Sequence, residues 1–288
     1  MDRPFYAKSG IVLVNKPVGV SSNKVVNMVK YHLGAKKCGH LGTLDLEGAG
    51  VLPVTVNSAT KLFDFFLKKD KTYETVFVFG VETDTLDASG TVLHEKECDI
   101  STDDVLKCLP KMIGKQLQMP PQFSAKKADG KVAYKEARKG NAIELKPKEI
   151  EVFDFSLIEK VCKNTFKFSI TCSSGTYIRC LCRDLAKLLG SYGIMQCILR
   201  TRCGVFCLKD CITLKDVENG NIPVISSDKL FDFEKIYVDA KSSERLYSFG
   251  QSLAVSYADG QYKIFDENDF LGVGVVEKGM LTLKIRLL

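Results

Sequence analysis

The stretch GHLGTLDLEGAGVLP, residues 39–53, sets glycines around the acidic pair Asp45 and Glu47. Glycine lets a ligand approach the backbone closely. The stretch lacks the GK[ST] ending of a phosphate-binding P-loop. On these residues alone, Asp45 is either a carboxylate that meets a ligand or the first residue of a simple Asx turn, and both readings stay open.

Regular structure is predicted on both sides of this loop. The apolar run Gly10–Val14 reads as a buried strand that Pro17 ends, and Ser21-Ser22 then cap a helix that closes at Gly34. Residues 51–56 resume a strand. The loop therefore joins a strand–helix unit to a further strand.

Two further segments carry clear patterns. Residues 72–81 alternate as a strand that places Tyr73, Thr75, Phe77 and Phe79 on one face. Helices are predicted at 101–113 and 177–189, and residues 166–172 form a strand. Arg179 falls in the first turn of the second helix, where a cation opposes the helix dipole by roughly 0.3–1 kcal/mol. That cost suggests a carboxylate or phosphate partner, although a solvent-facing arginine would tolerate it.

Composition narrows the class of protein. The 288 residues, 45% of them hydrophobic and 26% charged, suit one large and one small globular domain. The net charge of +6 is compatible with a polyanionic partner but does not require one. The final fifty or so residues show short alternating runs, which predict a small β appendage.

The sequence has few residues arranged to bind a metal or to form disulfides. The eleven cysteines form no CxxC pair, and only three histidines are present, so neither a zinc site, another metal site nor a disulfide framework is expected. Four cysteines in apolar surroundings are expected to be small buried hydrophobes: Cys172, Cys180, Cys182 and Cys197. The N-terminus has no signal-peptide character and no run approaches about 20 apolar residues. A cytoplasmic protein is therefore expected.

Residues 119–148 form a basic insertion with little apolar periodicity. Phe123 and Tyr134 are interleaved with the cations Lys126, Lys127, Lys131, Lys135, Arg138 and Lys139. A solvated loop and a nucleic-acid contact, in which cations meet phosphates and rings stack on bases, are both open.

The 39–53 stretch is similar to the GHxGTLDPLATGVLP signature of TruB-type pseudouridine synthases. Other segments resemble that family's motifs in the same order along nearly the whole chain: GIVLVNKPVGVSS (10–22), KTYETVFVFGVETDTLDASG (71–90), PPQFSAKKADGKVAYKEARKG (120–140), SSGTYIRCLCRDLAKLLG (173–190), LRTRCGVF (199–206) and FLGVGVV (270–276). The chain departs from the signature at Leu46-Glu47-Gly48-Ala49, which replaces Pro-Leu-Ala-Thr. The extra carboxylate of Glu47 would lie near RNA, so the departure bears on catalytic efficiency.

The resemblance implies an α+β fold, the α/β pseudouridine synthase fold, with a mixed, mainly antiparallel sheet flanked by helices. It implies a catalytic domain over residues 1–228, which contains the basic insertion. A small C-terminal β domain, similar to PUA modules and binding RNA, would occupy residues 229–288.

The resemblance also assigns roles to individual residues. Asp45 takes the position of the nucleophile, Arg179 that of the arginine that pairs with it, and Tyr73 that of a tyrosine that stacks on the target base and is proposed as a base. Tyr177 and Leu199 match residues that line the uracil pocket, and His40 matches a histidine that contacts RNA where the target nucleotide leaves its stack. The predicted RNA-gripping residues are Lys126, Lys127, Lys131, Arg138 and Lys139.

The implied activity is isomerisation of uridine 55 in the T loop of tRNA to pseudouridine, by base flipping and without a cofactor. The expected partner is the T arm of tRNA, with no membrane, no obligatory protein partner and a monomeric state. Two alternatives remain: a guide-RNA-dependent synthase of the H/ACA type, and a catalytically silent protein that binds or folds tRNA.

Overall fold

The computed structural model describes residues 6, 8–67, 69–123, 127–128, 131–132, 136, 144–267 and 269–287. Its strands are β1 (Gly10–Lys16), β2 (Cys38–His40), β3 (Gly48–Val56), β4 (Lys71–Phe79), β5 (Val81–Thr83), β6 (Val92–Glu95), β7 (Gly114–Gln118), β8 (Lys127–Ala128), β9 (Lys131–Val132), β10 (Lys148–Cys162), β11 (Thr165–Cys172), β12 (Gly193–Cys203), β13 (Phe206–Cys207), β14 (Ile225–Ser226), β15 (Lys235–Tyr237), β16 (Leu253–Ala254), β17 (Gly260–Phe265), β18 (Phe270–Glu277) and β19 (Met280–Arg286).

Six α-helices lie within the described residues: α1 (Ser22–Leu33), α2 (Phe63–Leu67), α3 (Thr102–Cys108), α4 (Ile178–Leu188), α5 (Leu214–Glu218) and α6 (Ala240–Tyr247). Short 3-10 helices add Asn57–Leu62, Leu109–Met112, Leu208–Asp210 and Ser227–Leu230. None of the described helices is long and apolar enough to cross a membrane.

The chain divides into two compact units. The first comprises Met1–Leu46, Val51–Leu67 and Lys209–Leu288, and the second comprises Glu47–Gly50 and Lys68–Leu208. The polypeptide therefore leaves the first unit and re-enters it twice.

In the first unit, α1 packs its valines against strands β1 and β3. The core consists of fully or nearly buried aliphatic residues: Val12, Val14, Val25, Val26, Val29, Ala35, Leu52, Val54, Val56 and Val217. The Ser21 side chain caps α1 by accepting from the Lys24 N–H, and Gly34 ends the helix in the left-handed conformation. Both helix ends agree with the prediction from sequence.

The C-terminal part of the first unit is a five-stranded sheet in the order β15-β17-β18-β19-β16. The pair β15–β17 is parallel, and the other pairs are antiparallel. Its separate core includes Ile236, Ile264, Leu271 and Leu281. The sheet follows from the alternating runs of the sequence, and α6 is an addition that those runs did not predict.

In the second unit, the strand order is β3-β12-β4-β11-β10-β7, with β13 on β12. Only β3–β12 is parallel among these pairs. On β4, Tyr73, Thr75, Phe77 and Phe79 share the buried face, as their alternation predicted. The expected mixed, mainly antiparallel α+β fold is confirmed.

Of the four cysteines expected to be buried, Cys172, Cys180 and Cys182 are. Cys197 is exposed, so that part of the prediction was wrong. The residue lies on β12 beside a register irregularity between Met195 and Cys197. A bulge of this kind reorients side chains locally, and the apolar neighbours in the sequence do not reveal it.

Candidate active site

Asp45 lies on an exposed loop of the first unit whose two neighbouring residues are fixed to the core. On one side, the fully buried Lys16 donates from Nζ to the carbonyl of Leu46 at 3.3 Å. It also donates to the carbonyls of Pro17 at 2.9 Å and Val20 at 2.7 Å. Gly19, at φ +79°, donates its N–H to the same Leu46 carbonyl at 2.9 Å.

On the other side, Ser22 holds Leu44 by two hydrogen bonds. Its Oγ donates to the Leu44 carbonyl at 2.9 Å and accepts from the Leu44 N–H at 3.0 Å. The Ser21-Ser22 segment, predicted as a helix cap, therefore has two roles. Ser21 caps α1, and Ser22 holds the Asp45 loop through Leu44. Asp45 is consequently presented between two clamped residues.

His40 ends β2, where it pairs with Val54 of β3. Its ring is half-buried, five residues before Asp45. The antiparallel pairing Cys38–Val56, Gly39–Thr55 and His40–Val54 fixes the path by which the chain enters the loop.

In the second unit, Tyr73 occupies a cross-strand row between Ile170 of β11 and Arg200 of β12. Tyr73 and Arg200 are both buried. Burial raises the pKa of the Tyr73 hydroxyl to about 12, and the charge of Arg200 and its hydrogen bond to the hydroxyl work against that rise. The phenol is therefore neutral at physiological pH and able to stack on a base or donate a hydrogen bond.

Leu199 faces away from Tyr73. The register pairs Leu199 with Glu74, whereas Ile198 pairs with Thr75 and Arg200 with Tyr73. Side chains of directly paired residues lie on the same face of a sheet. Ile198 and Arg200 therefore share the face of Tyr73, and Leu199 shares the face of Glu74.

Arg179, at the start of α4, is buried and paired with a carboxylate. Its Nη1 lies 3.3 Å from Asp87 Oδ2 and donates to the Thr85 carbonyl at 2.9 Å, while Nη2 donates to the Phe123 carbonyl at 3.1 Å. Asp87 is therefore one anionic partner of this arginine, and the solvent-facing alternative was wrong because the side chain is buried.

Neighbouring residues of the turn 85–89 orient the Asp87 carboxylate. Its Oδ1 accepts from Thr85 Oγ1 at 2.7 Å, Ser89 Oγ at 2.6 Å and the Ser89 N–H at 3.1 Å. Leu86, between these residues, adopts φ +62°. A non-glycine residue in the left-handed region carries a cost of about 1 kcal/mol, which this hydrogen-bonded turn offsets.

Tyr177 is the N-cap residue of α4 and is held by a buried glutamine. Gln118 accepts the Tyr177 N–H at 2.8 Å and donates to the Tyr177 carbonyl at 3.1 Å. Since Arg179 follows in the first turn, Gln118 also sets the start of the helix that carries the arginine.

A pocket of about 160 Å3 lies in the second unit beside Asp87. Glu47 lines it together with Asp87, Ala88, Ser89, Met195, Gln196 and Cys197. Glu47, one of the four residues that depart from the family signature, therefore lines the same pocket as Asp87, which pairs with Arg179.

Part of the predicted RNA grip can be placed. Lys127 and Lys131 belong to the two-stranded hairpin β8–β9, in which Lys127 pairs with Val132 and Ala128 with Lys131. Lys126, Arg138 and Lys139 lie outside the described residues.

Four residues of these networks were not picked out from the sequence: Lys16, Asp87, Gln118 and Arg200. Ser22 was named only as part of a helix cap, and its bonds to Leu44 were not predicted. Lys16 did leave a signal, because a lysine that closes a buried apolar strand must bury its charge against carbonyls. The contacts of Asp87 and Gln118 span 92 and 59 residues, so no local pattern predicts them.

Comparison with known proteins identifies the family. The model of the TruB family pseudouridylate synthase N-terminal domain matches residues 30–178. The tRNA pseudouridine synthase B of Caldanaerobacter subterraneus subsp. tengcongensis is 36% identical, over 93% of this chain and 95% of that protein. The protein of the same name from Aquifex aeolicus is 35% identical, over 96% of this chain and 98% of that protein.

Solved structures share the fold. A crystal structure of a Cbf5-Nop10-Gar1 complex matches with a TM-score of 0.68 at 21% identity, covering 95% of this chain and 80% of that one. An archaeal box H/ACA sRNP Nop10-Cbf5 complex matches with a TM-score of 0.68 at 18% identity, covering 99% and 89%. Likeness at this identity supports the architecture, and the sequence matches decide the family. The chain belongs to the TruB family of pseudouridylate synthases.

Proposed function

We propose that this pseudouridine synthase isomerises uridine 55 in the T loop of tRNA, acting without a guide RNA. The supporting observation is that relatives named tRNA pseudouridine synthase B align over 93–96% of the chain at 35–36% identity. The H/ACA alternative has weaker support, since the solved Cbf5 and H/ACA RNP structures match at only 18–21% identity.

The reaction breaks the N1–C1′ glycosidic bond, turns the uracil and joins C5 to C1′. The proton leaves C5 and N1 gains one, so atoms and electrons balance without an oxidant or a cofactor. The uridine must first leave the T-loop stack, at a cost of a few kcal/mol that pocket contacts repay.

Asp45 is proposed as the nucleophile, directed at the uracil ring or at the sugar, or as the group that assists glycal formation. Clamping of Leu44 and Leu46 supports this role, because a nucleophile needs a fixed position relative to the reacting bond. Arg179 is proposed to pair with Asp45 and hold it ionised, while Asp87 keeps the guanidinium in place.

The remaining residues are proposed to bind the flipped uridine and its surroundings. Tyr73 would stack on the uracil, Tyr177 would line its pocket, and His40 would contact the RNA where the nucleotide leaves the stack. The strand register favours Ile198 for the pocket contact that the resemblance assigned to Leu199.

For the chain as a whole, we propose a monomeric cytoplasmic enzyme with no obligatory protein partner. Residues 1–228 would form the catalytic domain and residues 229–288 an RNA-binding domain. Cations of the basic insertion would grip the T-arm backbone: Lys126, Lys127, Lys131, Arg138 and Lys139.

Tritium release from 5-tritiated uridine tests the function. Purified protein alone, mixed with a bare T-arm stem-loop, is expected to release tritium stoichiometrically with the target, and a stem-loop with cytidine at position 55 is expected to release none. Strict dependence on guide RNA and partner proteins would establish the H/ACA alternative. Tight binding without release would establish a silent RNA-binding protein.

A further inference from the structure

One asparagine of the first unit gathers three lysines that the catalytic residues do not use. Asn57 Nδ2 donates to the carbonyls of Tyr6 and Lys8, both at 2.8 Å. Its Oδ1 accepts from the N–H groups of Lys36 at 3.0 Å and Lys37 at 3.4 Å, and its own N–H donates to the Lys37 carbonyl at 2.7 Å. The backbones of Lys8, Lys36 and Lys37, here called the Asn57 lysine cluster, thus meet at one side chain.

The backbone of Asn57 is suited to this task. It adopts φ +54°, a left-handed conformation that asparagine tolerates better than most residues. The amide therefore sits at the junction of β3 and the following 3-10 helix, with its donors and acceptor turned to two other chain segments. The lysine backbones are held in place while their side chains stay exposed.

This cluster has no ion-pair partner among the residues that the structure describes: no carboxylate there lies within ion-pair distance of the side chains of Lys8, Lys36 or Lys37. The surrounding sequence contributes none either, because residues 3–44 contain seven Lys or Arg and no Asp or Glu. Like charges gathered without counter-charges repel one another, and a polyanion removes that cost.

The Asn57 lysine cluster is close in sequence to His40 of the candidate site. Strand β2 begins at Cys38, immediately after Lys37, and ends at His40. At about 3.4 Å per residue, Lys37 lies on the order of 10 Å along the strand from His40. A phosphate bound at the cluster would therefore belong to backbone close to the nucleotide that meets His40.

We propose that the Asn57 lysine cluster is a second RNA-backbone site, which binds phosphates flanking the target nucleotide and is distinct from the basic insertion. This inference rests on the proposed function. Its ligand is recognised by charge, so the cluster adds affinity and register rather than base specificity. Lys30, whose charge acts on the Cys38 thiol, extends the basic surface along α1.

The test compares two double variants of equal charge change. Lys36→Ala/Lys37→Ala removes two cations of the cluster. Lys107→Ala/Lys111→Ala removes two exposed lysines from a mixed surface, where the charge of Lys107 lies near Asp104. The Kd of a T-arm stem-loop is measured between 50 and 300 mM KCl, roughly the range in which counterion release is resolved.

The Lys36→Ala/Lys37→Ala variant is expected to bind about tenfold more weakly at low salt, with a slope of log K against log salt that is smaller in magnitude by roughly 1.5. The Lys107→Ala/Lys111→Ala control should match the wild type, and Lys36→Arg/Lys37→Arg should restore the slope. A Lys36→Ala/Lys37→Ala variant with the wild-type slope would overturn the inference, and a surface for an acidic protein would then be the better account.

Tritium release by the wild type distinguishes failure of the second RNA site from failure of the proposed activity. If the wild type releases tritium and the cluster variant keeps the wild-type slope, the second RNA site is wrong and the proposed function stands. If the wild type binds the stem-loop but releases no tritium, the proposed activity is wrong, while the salt slopes still decide the binding site.

Discussion

Arg179 Nη1 lies 3.3 Å from Asp87 Oδ2 in the interior of the second unit, with both side chains largely buried. Removing one partner of a buried pair leaves the other charge without compensation. Asp87→Ala is therefore expected to lower the free energy of unfolding by about 3 kcal/mol. It should also lower the single-turnover rate, because Arg179 loses the group that orients it.

Urea denaturation of Asp87→Ala and wild type measures the first effect. Glu95→Ala, which removes an exposed carboxylate from β6, is the control and should change stability by less than about 0.5 kcal/mol. Equal stability of Asp87→Ala and wild type would show that the pair does not hold Arg179.

Ser21 and Ser22 provide a matched test of the loop clamp. Ser21 caps α1 and Ser22 holds Leu44. Ser21→Ala should cost about 1 kcal/mol of stability and Ser22→Ala about 1–3 kcal/mol. Only Ser22→Ala should slow single-turnover isomerisation, because only it frees the residue before Asp45. Equal rate losses in both variants would argue against a specific clamp.

The burial of Tyr73 has a spectroscopic consequence. With a pKa of about 12, its hydroxyl should contribute no tyrosinate absorbance at pH 10.5. The difference between wild type and Tyr73→Phe in an absorbance titration isolates this group. A difference signal with a midpoint near 10 would contradict the burial of the hydroxyl.

The same shift predicts a direction for stability. The folded state holds the Tyr73 proton more tightly than the unfolded state, whose pKa is about 10. The contribution is fully present below pH 10 and is lost as the pH rises from 10 through 12. Relative to Tyr73→Phe, wild-type stability should therefore fall over that window.

The register of β12 distinguishes two neighbouring aliphatic residues. Ile198→Ala removes a side chain from the face of Tyr73, and Leu199→Ala removes one from the face of Glu74. Ile198→Ala should lower kcat/KM by about tenfold, and Leu199→Ala by less than about threefold, since one apolar contact is worth roughly 1–3 kcal/mol. The reverse order would show that the resemblance, rather than the register, assigned the pocket residue correctly.

These residues also show how far sequence reasoning reached. The alternation around Tyr73 and the caps of α1 are local patterns, so they predicted which side chains are buried and where the helix ends. Asp45 and Arg179 were found by their motif and by an awkward charge at a helix start. The contacts that position Asp45 and Arg179 were not predicted, because they join residues far apart in sequence. Lys16 bonds to Leu46 across 30 residues, and Arg179 to Asp87 across 92.

The side of the sheet on which Leu199 lies could not be predicted from the sequence, for a different reason. Two register shifts interrupt the pairing of β12 with β4, one on each side of residues 197–200. Shifting a strand by one residue exchanges its faces, and a sequence motif carries no information on such shifts. Cys197 was expected in the core but is exposed, and it lies beside one of these register shifts.

The role of Asp45 is tested most directly by tritium release in a single turnover with Asp45→Asn, an isosteric change on an exposed loop. The expected result is a rate at least about a thousandfold below wild type, with the Kd for the T-arm stem-loop within about twofold because the uncharged residue keeps the loop and its clamps. A variant that releases tritium within about tenfold of the wild-type rate would contradict the assignment of Asp45 as the catalytic carboxylate.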